Sequence, residues 1–299
     1  MSNPTQELET VRDWIRYAVS RFTGGGLFFG HGMASAYDEA AYLVQHTLHL
    51  PLDRLDPFMD ARLTSGERSA VLQIIDRRVS ERIPAAYLTH EAWLGSFRFY
   101  VDERVIIPRS YIAELLPDAL EPWLPEPAKV QSALDLCTGS GCLAILLGHH
   151  YVNADVDAAD LSSDALAVAQ RNVAEHGMQD RINLIRSDLL SNLNEKTYDL
   201  IISNPPYVPA VSMEELPQEY RHEPAIALAG GEDGLDAVRT IVGGAARFMA
   251  PDGLLVVEVG HNRIATEAAF PRLPFTWLST ASSEDGVFML RRNDLVRTR

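Results

Sequence analysis

Cysteine, basic residues and long apolar runs are all scarce in this 299-residue sequence. Its two cysteines, Cys137 and Cys142, lie close together and cannot build a disulfide framework or a zinc cluster, so we expect a reducing, cytoplasmic setting. No apolar run reaches the roughly 18 residues that a membrane-spanning helix needs. The polar, acidic start "MSNPTQELETVRDW" lacks the pattern of a signal peptide. We therefore expect neither membrane insertion nor secretion.

The formal net charge is −15, from 26 basic and 41 acidic residues. A general groove for nucleic acid needs a basic surface to meet the phosphates, so this balance argues against direct nucleic-acid specificity. It favours a basic protein partner, although an acidic surface also serves solubility alone. A content of 46% hydrophobic and 22% charged residues is typical of a globular protein, and the length favours two domains.

Helical periodicity dominates the first part of the chain. In "TQELETVRDWIRYAVSRF" apolar residues recur every three or four positions, which predicts one amphipathic helix. A second helix is predicted over "ASAYDEAAYLVQHTLHL", and a third starts at Thr64, whose partner Glu67 completes a capping-box pattern. These elements predict a small helical domain over residues 1–86. No carboxylate or cysteine pattern completes a ligand set around its histidines, so we expect no metal site.

Strands and helices alternate in the second part of the chain. Residues 87–108 are rich in aromatic and β-branched side chains around a glycine, which predicts a β-hairpin linking two domains. From Val130 onward the predicted strands are separated by helices, a pattern typical of a parallel sheet covered on both faces. The last two predicted strands, "FTWLST" and "GVFMLRR", are joined by a short polar turn and predict an antiparallel hairpin. The sequence thus predicts an α/β domain over residues 109–299.

A glycine-rich turn follows the first strand predicted for this domain. Glycines there let the backbone turn tightly and approach a ligand, and amide hydrogens at the start of the next helix can bind polar groups. Such glycines also serve tight packing, and their spacing differs from the Gly-x-Gly-x-x-Gly of dinucleotide-binding proteins. The candidate cofactor-binding residues in this turn are Asp135, Cys137, Thr138, Gly139, Ser140 and Gly141.

Acidic residues close the next two predicted strands. Asp160 follows the glycine turn by about 20 residues, where a carboxylate can accept hydrogen bonds from both hydroxyls of a ribose. Asp188 and Leu189 end the following strand, where an acid and an apolar side chain can border a purine ring. Together these strand ends predict a crevice at the carboxyl edge of the sheet, where open α/β sheets bind ligands. No Gly-Lys-Ser/Thr pattern accompanies them, so a nucleoside without phosphates fits better than a triphosphate.

The segment Asn204-Pro205-Pro206-Tyr207 follows the fourth predicted strand. Proline fixes its own backbone angle and restricts the residue before it, so Asn204 and Pro205 are expected to be extended. Their carbonyls and the Asn204 side-chain oxygen then form rigid acceptors, which suit a planar NH₂ group with two donors. Tyr207 offers an aromatic face against which that flat group can lie. A plain proline turn is the alternative, but the place at the carboxyl edge favours a catalytic role for all four residues.

These motifs resemble those of the S-adenosylmethionine-dependent methyltransferases that modify amino nitrogens. Within that class, "NPPYVP", "EYRHEP" and "GGEDGL" resemble the HemK-like protein glutamine methyltransferases, and the similarity covers nearly the whole chain. The segment Ile107-Pro108-Arg109-Ser110 resembles the branch that methylates the third protein of the large ribosomal subunit, rather than the branch acting on peptide release factors. The resemblance implies a class I, Rossmann-like fold with a mostly parallel seven-stranded sheet and a C-terminal antiparallel hairpin.

The resemblance also implies a role for each motif. S-adenosylmethionine would be the cofactor, with its methionine part at the glycine turn, its ribose at Asp160 and its adenine at Asp188 and Leu189. The side-chain amide of a glutamine would donate to Asn204, which also borders the cofactor, and to the Pro205 carbonyl. The expected substrate is a basic ribosomal protein of the large subunit. We expect the enzyme to act as a monomer or homodimer.

Other functions remain open at this point. Methylation of an amino group on a nucleic-acid base is the nearest alternative, because adenine also presents a flat NH₂ group. The acidic charge and the absence of an evident target-reading module argue against it. Glutamine methylation of peptide release factors is the other enzymatic alternative. A ribosome-assembly factor that merely binds the cofactor is a third reading, and a dinucleotide oxidoreductase is remote because the glycine spacing does not fit.

Overall fold

A computed structural model describes residues 4–117, 120 and 122–297. The three domain boundaries expected above stay predictions, and the outermost residues of the first and last of those domains lie outside the described part of the chain. No helix within the described part is both long and apolar enough to cross a membrane.

The chain forms two compact units. The first unit contains the chain up to Ala92 together with a short later segment, Pro217–His222. The second unit contains Trp93–Leu216 and the chain from Glu223 onward. The first unit therefore includes a segment that lies far along the sequence, between two of the motifs that the sequence singled out.

Helices make up the first unit. Those in the described residues are α1 (Pro4–Glu7), α2 (Val11–Gly24), α3 (Ala36–Thr47), α4 (Ser65–Ser80) and α5 (Ala85–Thr89), with 3₁₀ turns at Asp56–Phe58 and Gln218–His222. The core contains Trp14 and Phe22 of α2, Leu43 of α3 and Ile75 of α4, each with no exposed surface. The predicted second and third helices are confirmed, including the capping box at Thr64 that starts α4.

The prediction of a single helix over "TQELETVRDWIRYAVSRF" is wrong, because the structure divides it into α1 and α2. Thr10 is extended between them, with φ −104° and ψ 161°, and it caps α2. Its hydroxyl accepts a hydrogen bond from the Asp13 amide at 3.2 Å, and the Asp13 carboxylate accepts one from the Thr10 amide at 2.9 Å. This reciprocal pair satisfies amide groups at the helix start, which outweighs the continued apolar periodicity.

A buried cluster of charges lies within the first unit. Arg78 of α4 donates from Nε to Glu39 Oε1 at 2.6 Å, and its Nη1 lies 3.4 Å from Glu219 Oε1. Its Nη2 donates to the Phe28 carbonyl at 3.0 Å, and Arg82 adds a second contact to Glu219 at 3.2 Å. The Arg78 and Glu219 side chains are only 1% and 2% exposed. Removing Arg78 would therefore leave Glu39 buried without this cation, while Glu219 would keep only its contact with Arg82.

The second unit is an α/β structure. Its strands are β1 (Glu91–Leu94), β2 (Phe97–Tyr100), β3 (Ser132–Leu136), β4 (Asp155–Asp160), β5 (Ile182–Arg186), β6 (Tyr198–Ser203), β7 (Met249–Glu258), β8 (Thr276–Leu278) and β9 (Val287–Arg291), where β1 begins in the first unit. Its helices in the described residues are α6 (Ile112–Leu115), α7 (Cys142–His150), α8 (Ser163–Glu175), α9 (Ala210–Glu215), α10 (Asp236–Gly244), α11 (Arg263–Ala269) and α12 (Arg292–Arg297). Strands β1 and β2 pair in a two-stranded sheet, so the predicted hairpin forms.

Seven strands form the main sheet, in the order β5-β4-β3-β6-β7-β9-β8. All of them run parallel except β9, which pairs antiparallel with both β7 and β8. The predicted α/β fold, with a mostly parallel sheet and a C-terminal antiparallel hairpin, is confirmed. The chain proceeds from β3 outward to β4 and β5 and then returns to β6 on the other side of β3. This reversal creates a switch point, where open α/β sheets bind ligands.

Alternating side chains along the strands cover both faces of the sheet. Leu200 and Ile202 of β6 pack with α7 in one core, whereas Ile201 between them packs with α10 in the other. Helix α7 is buried from Cys142 to Gly148, as expected for a helix enclosed in the core. Both faces are therefore closed to water, and the strand ends are left as the place for a polar site.

Four parallel strands end level with one another. In the ladders, Leu136 of β3 lies opposite Ala159 of β4 and Ser203 of β6, and Asp160 lies opposite Arg186 of β5. The loops that follow these strands consequently start side by side. This register brings the predicted motifs, which are dispersed in the sequence, to one edge of the sheet.

We predict that Arg78→Met destabilises the first unit by about 3–5 kcal/mol, because it removes the cationic partner of the buried Glu39 and leaves Glu219 with Arg82 alone. Urea unfolding followed by circular dichroism measures the loss. The matched control is Arg77→Met on the same helix, since the Arg77 ion pair with Glu81 is about half exposed at 3.5 Å. Arg77→Met should lower the free energy of unfolding by less than about 1 kcal/mol. Equal losses for the two variants would contradict a special role for the buried cluster.

Candidate active site

A cavity of about 360 Å³ lies in the second unit beyond the ends of β3, β4, β5 and β6. Its size falls within the usual range of small-molecule sites. Seven of the predicted site residues line it: Cys137, Gly139, Asp160, Asp188, Leu189, Asn204 and Pro206. The other predicted site residues do not: Asp135, Thr138, Ser140, Gly141, Pro205 and Tyr207. The structure thus brings all four motifs together but divides their residues between the cavity wall and its support.

The glycine turn places one glycine at the cavity and another against a helix. Gly139 has φ +55°, a conformation that favours glycine, and a side chain there would point into open space. Gly141 has φ +80°, and an added Cβ would lie 3.1 Å from the Cβ of Ala169 in α8. The first glycine therefore leaves room for a ligand, whereas the second permits close packing.

Asp135 supports the turn from behind. It is fully buried, and its Oδ2 accepts a hydrogen bond from the Thr138 hydroxyl at 2.6 Å. Its Oδ1 is buried without a hydrogen-bond partner. Burial raises the pKa of Asp135 to about 7, and the Thr138 hydrogen bond opposes that rise. Asp135 therefore acts on the cavity through the turn that it supports, since it does not line the cavity itself.

Asp160 connects two of the loops around the cavity. Its Oδ2 accepts from the Gly139 amide at 2.8 Å, and its Oδ1 accepts from the Ser162 amide at 2.9 Å. Burial raises the pKa of this carboxyl, and the two amide hydrogen bonds oppose that rise. Each carboxylate oxygen has two acceptor sites, so capacity for two ligand hydroxyls remains.

Two residues with an unusual backbone conformation line the cavity. Cys137 and Leu189 both line it and both adopt positive φ, 61° and 49°, which side-chain-bearing residues rarely do. Ser187 braces the second of them, because its hydroxyl donates to the Leu189 carbonyl at 2.7 Å and accepts from the Asn192 amide at 3.0 Å. Asp188, which lies between Ser187 and Leu189 in the sequence, is exposed. Strained residues held in place in this way are common at ligand sites.

Asn204 stands at the edge of the cavity next to the glycine turn. The residue before it, Ser203, is fully buried, and its hydroxyl donates to the Leu136 carbonyl at 2.8 Å. No hydrogen bond joins the Asn204 side chain to another described residue, and this side chain is half-buried. Its amide oxygen is therefore available to a ligand.

Tyr207 does not line the cavity and is held by contacts with other segments. Its hydroxyl donates to Glu258 Oε1 at 3.2 Å, and its carbonyl accepts from Asn262 Nδ2 at 2.6 Å. Its ring lies so close to Gly260 that a Cβ there would come within 2.6 Å. Burial and the neighbouring Glu258 raise the pKa of the phenol. The proposed stacking of a flat group on this ring stays a prediction.

Sequence reasoning missed a partly buried ion pair that holds two further segments of the cavity wall. Glu223 is buried, and it accepts from Arg109 Nη2 at 2.7 Å and from the Ile107 amide at 2.9 Å. The segments that follow Glu223 and precede Ile107 both line the cavity. Arg109 belongs to "IPRS" and Glu223 to "EYRHEP", so both residues lie in segments that were noted only for their resemblance to a family.

The "GGEDGL" segment has a similar structural role. The Val208 amide donates to the Leu228 carbonyl at 2.9 Å, and the Gly230 amide donates to the Val208 carbonyl at 2.8 Å. Gly234 has φ +81°, and an added Cβ would collide with the Tyr207 carbonyl. These glycines let the loop approach the segment after Pro206 closely, which only a residue without a side chain permits.

The donor set fits S-adenosylmethionine, which combines a nucleoside, a sulfonium cation and an amino acid. The carboxylate of Asp160 suits its ribose, the exposed Asp188 suits its positive charge, and the apolar side chain of Leu189 suits its base. Gly139 leaves the space that a bound molecule needs. Among the described residues, no group of three or more histidine, cysteine or acidic side chains is arranged to hold a metal ion.

Comparisons with known proteins agree with this geometry. Residues 115–218 match the family model of the methyltransferase small domain. The ribosomal protein uL3 glutamine methyltransferase of Neisseria meningitidis is 60% identical over 97% of this chain and 96% of its own length. The protein of the same name from Bordetella pertussis is 58% identical over 98% of this chain and 99% of its own length.

A solved structure shows the same fold at low sequence identity. The catalytic domain of hMettl16, crystallised with a hairpin of the MAT2A 3'UTR, is 15% identical with a TM-score of 0.50. The similarity covers 88% of this chain and 94% of that one. It supports the class I methyltransferase fold that the sequence predicts, and it carries no information about the substrate.

We predict that Asp160→Ala weakens binding of S-adenosylmethionine by about 10- to 100-fold, because hydrogen bonds to a carboxylate contribute about 1.5–3 kcal/mol. Isothermal titration calorimetry measures the dissociation constant. Asp164→Ala is the matched control, since Asp164 is exposed in the first turn of α8 and does not line the cavity. Unchanged affinity in Asp160→Ala would show that this acid does not hold the cofactor.

We also predict a pH signature for Asp135. Its pKa is raised to about 7, so between about pH 4 and pH 7 the folded protein retains a proton that the unfolded chain releases. Stability from this group therefore falls as pH rises through that window. Asp135→Asn should become steadily more stable relative to wild type from pH 4.5 to 7.5 in urea unfolding, whereas the exposed variant Asp180→Asn should not. Parallel pH curves for Asp135→Asn and wild type would contradict this.

Proposed function

Because the chain belongs to the family of the ribosomal protein uL3 glutamine methyltransferases, which use S-adenosylmethionine, we propose that it methylates the side-chain amide nitrogen of a glutamine in ribosomal protein uL3. One observation in the structure carries the proposal. Asn204, whose side-chain oxygen accepts no hydrogen bond from the residues that the structure describes, lies next to the turn that fits the cofactor, and the following prolines restrict its backbone.

Reaction at an amide nitrogen needs help, because its lone pair is delocalised into the carbonyl group. The cofactor supplies an electrophilic methyl group on its sulfonium. The Asn204 side-chain oxygen and the Pro205 carbonyl would accept the two N–H donors of the glutamine amide, which orients its nitrogen and removes it from water. These fixed dipoles also stabilise the positive charge that develops on the nitrogen. The proton leaves after the methyl group is transferred, so no dedicated base is required.

A protein substrate agrees with the charge of the molecule better than a nucleic acid does. The excess of acidic over basic residues, 41 against 26, complements a basic ribosomal protein and repels phosphates. We place the reaction in the cytoplasm, where ribosomal proteins are made and where the two free cysteines stay reduced.

The decisive experiment incubates the purified protein and labelled S-adenosylmethionine separately with uL3, with a peptide release factor and with RNA. We predict that label appears in uL3, and that tandem mass spectrometry places one methyl group on a glutamine side chain. Label on the release factor alone would move the protein to the other branch of the family, and label on RNA alone would reject a protein substrate.

Asn204→Ala is the variant that links this activity to the site. Loss of one positioned polar group lowers kcat by about 100-fold or more in comparable sites, and we expect a loss of that size. Asn194→Ala, in an exposed loop, is the matched control and should retain wild-type activity. If a cell carrying Asn204→Ala assembled ribosomes normally while uL3 stayed unmethylated, the protein would act in assembly without its enzymatic activity.

A further inference from the structure

Glu258 is a buried carboxylic acid that none of the motifs predicted. It is the last residue of β7, next to β6 in the sheet, and its exposure is 1%. Its Oε2 accepts from the Ser110 hydroxyl at 2.6 Å and from the Tyr111 amide at 2.9 Å. Its Oε1 accepts from the Tyr207 hydroxyl. Glu258 therefore joins the segment before α6 to the segment that follows β6.

This arrangement lowers the stability of the folded protein. The three groups that hydrogen-bond to Glu258 are neutral, and burial raises its pKa to about 7. A buried carboxyl without a cationic hydrogen-bond partner is less favourable than a hydrophobic side chain of similar volume. The position nevertheless holds an acid, so an explanation in terms of geometry is needed.

Tyr207 is the residue whose geometry Glu258 fixes. The tyrosine is held at its hydroxyl by Glu258, at its carbonyl by Asn262 and at its ring by Gly260. Two prolines with fixed φ separate it from Asn204. Because the prolines leave few free backbone torsions in between, the position of Tyr207 restricts where the Asn204 backbone and the Pro205 carbonyl lie at the cavity.

We propose that Glu258 is a positioning residue for methyl transfer, which acts by anchoring Tyr207 so that Asn204 and the Pro205 carbonyl hold the substrate amide in line. The inference rests on the proposed function for its chemistry. It assigns Tyr207 a task that does not require its ring to touch the substrate. Ser110 of "IPRS" donates to Glu258, so this segment also helps to position the acceptors.

Three variants separate this role from a general effect on folding. Glu258→Met fills the volume but removes the acceptors for Tyr207, Ser110 and Tyr111. Glu258→Gln can keep all three contacts, with its oxygen accepting from Ser110 and Tyr111 and its NH₂ donating to the phenol oxygen. Tyr207→Phe removes the hydroxyl that donates to Glu258, so it breaks the same contact at the tyrosine. The matched control is Glu175→Met, at the exposed end of α8.

Methylation of uL3 is measured together with cofactor binding and with hydrogen exchange of peptides covering residues 203–210. We expect kcat to fall by about 10- to 100-fold in Glu258→Met and Tyr207→Phe, the scale expected of a misplacement near 1 Å, with cofactor affinity within about threefold of wild type. Glu258→Gln should recover most of the activity. Exchange in residues 203–210 should rise in Glu258→Met and not in Glu175→Met.

The exchange measurement keeps the inference testable if uL3 proves to be the wrong substrate, because it needs no substrate. Wild-type kcat in both Glu258→Met and Tyr207→Phe would overturn the proposal, as would unchanged exchange in residues 203–210. So would a loss of kcat in Glu258→Gln as large as that in Glu258→Met. If Glu258→Met fails to fold, Tyr207→Phe decides alone, since it removes a single hydroxyl. A wild-type protein that leaves uL3 unmethylated rejects the proposed function and leaves the exchange prediction standing.

Discussion

The pairing of β3 with β6 is the constraint on which the site depends. Leu136 lies opposite Ser203, and the Ser203 hydroxyl donates to the Leu136 carbonyl, so the two strands end together. Parallel strands in register necessarily place their following loops side by side. Cys137 and Asn204 directly follow these two strand ends, so the register of the strands alone makes them neighbours. The turn that fits the cofactor and the acceptors that fit the amide share one edge because the sheet has one register.

Carboxylates in this part of the fold are compensated mostly by neutral donors. Backbone amides satisfy Asp160, a threonine hydroxyl satisfies one oxygen of Asp135, and neutral groups surround Glu258. Such donors stabilise a buried carboxylate but leave the local field negative. A ligand carrying a sulfonium and an ammonium group enters a site that already favours positive charge. Burial raises the pKa of Asp135 and of Glu258 to about 7, because desolvation disfavours their charged forms.

Local patterns were sufficient to predict the fold and the position of the cavity, because strand, turn and helix alternate and parallel strand ends must meet. They failed where two distant segments decide the outcome. Tyr207 and Glu258 are separated by 51 positions, so nothing near the tyrosine in sequence indicates that its hydroxyl is bound to a buried carboxyl. The broken first helix was within reach of the sequence, since Thr10 and Asp13 form a capping box in which aspartate replaces the usual glutamate.

The family signatures acquire a physical meaning in this light. Glu223 of "EYRHEP" holds Arg109 of "IPRS", while the glycines of "GGEDGL" admit the Tyr207 carbonyl where a side chain would collide. A rigid pair of acceptors alone fits any flat amino group, including that of adenine. The segments that follow Glu223 and precede Ile107 also line the cavity, so the contacts of Glu223 with Arg109 and with the Ile107 amide fix a part of its wall that the acceptors do not supply.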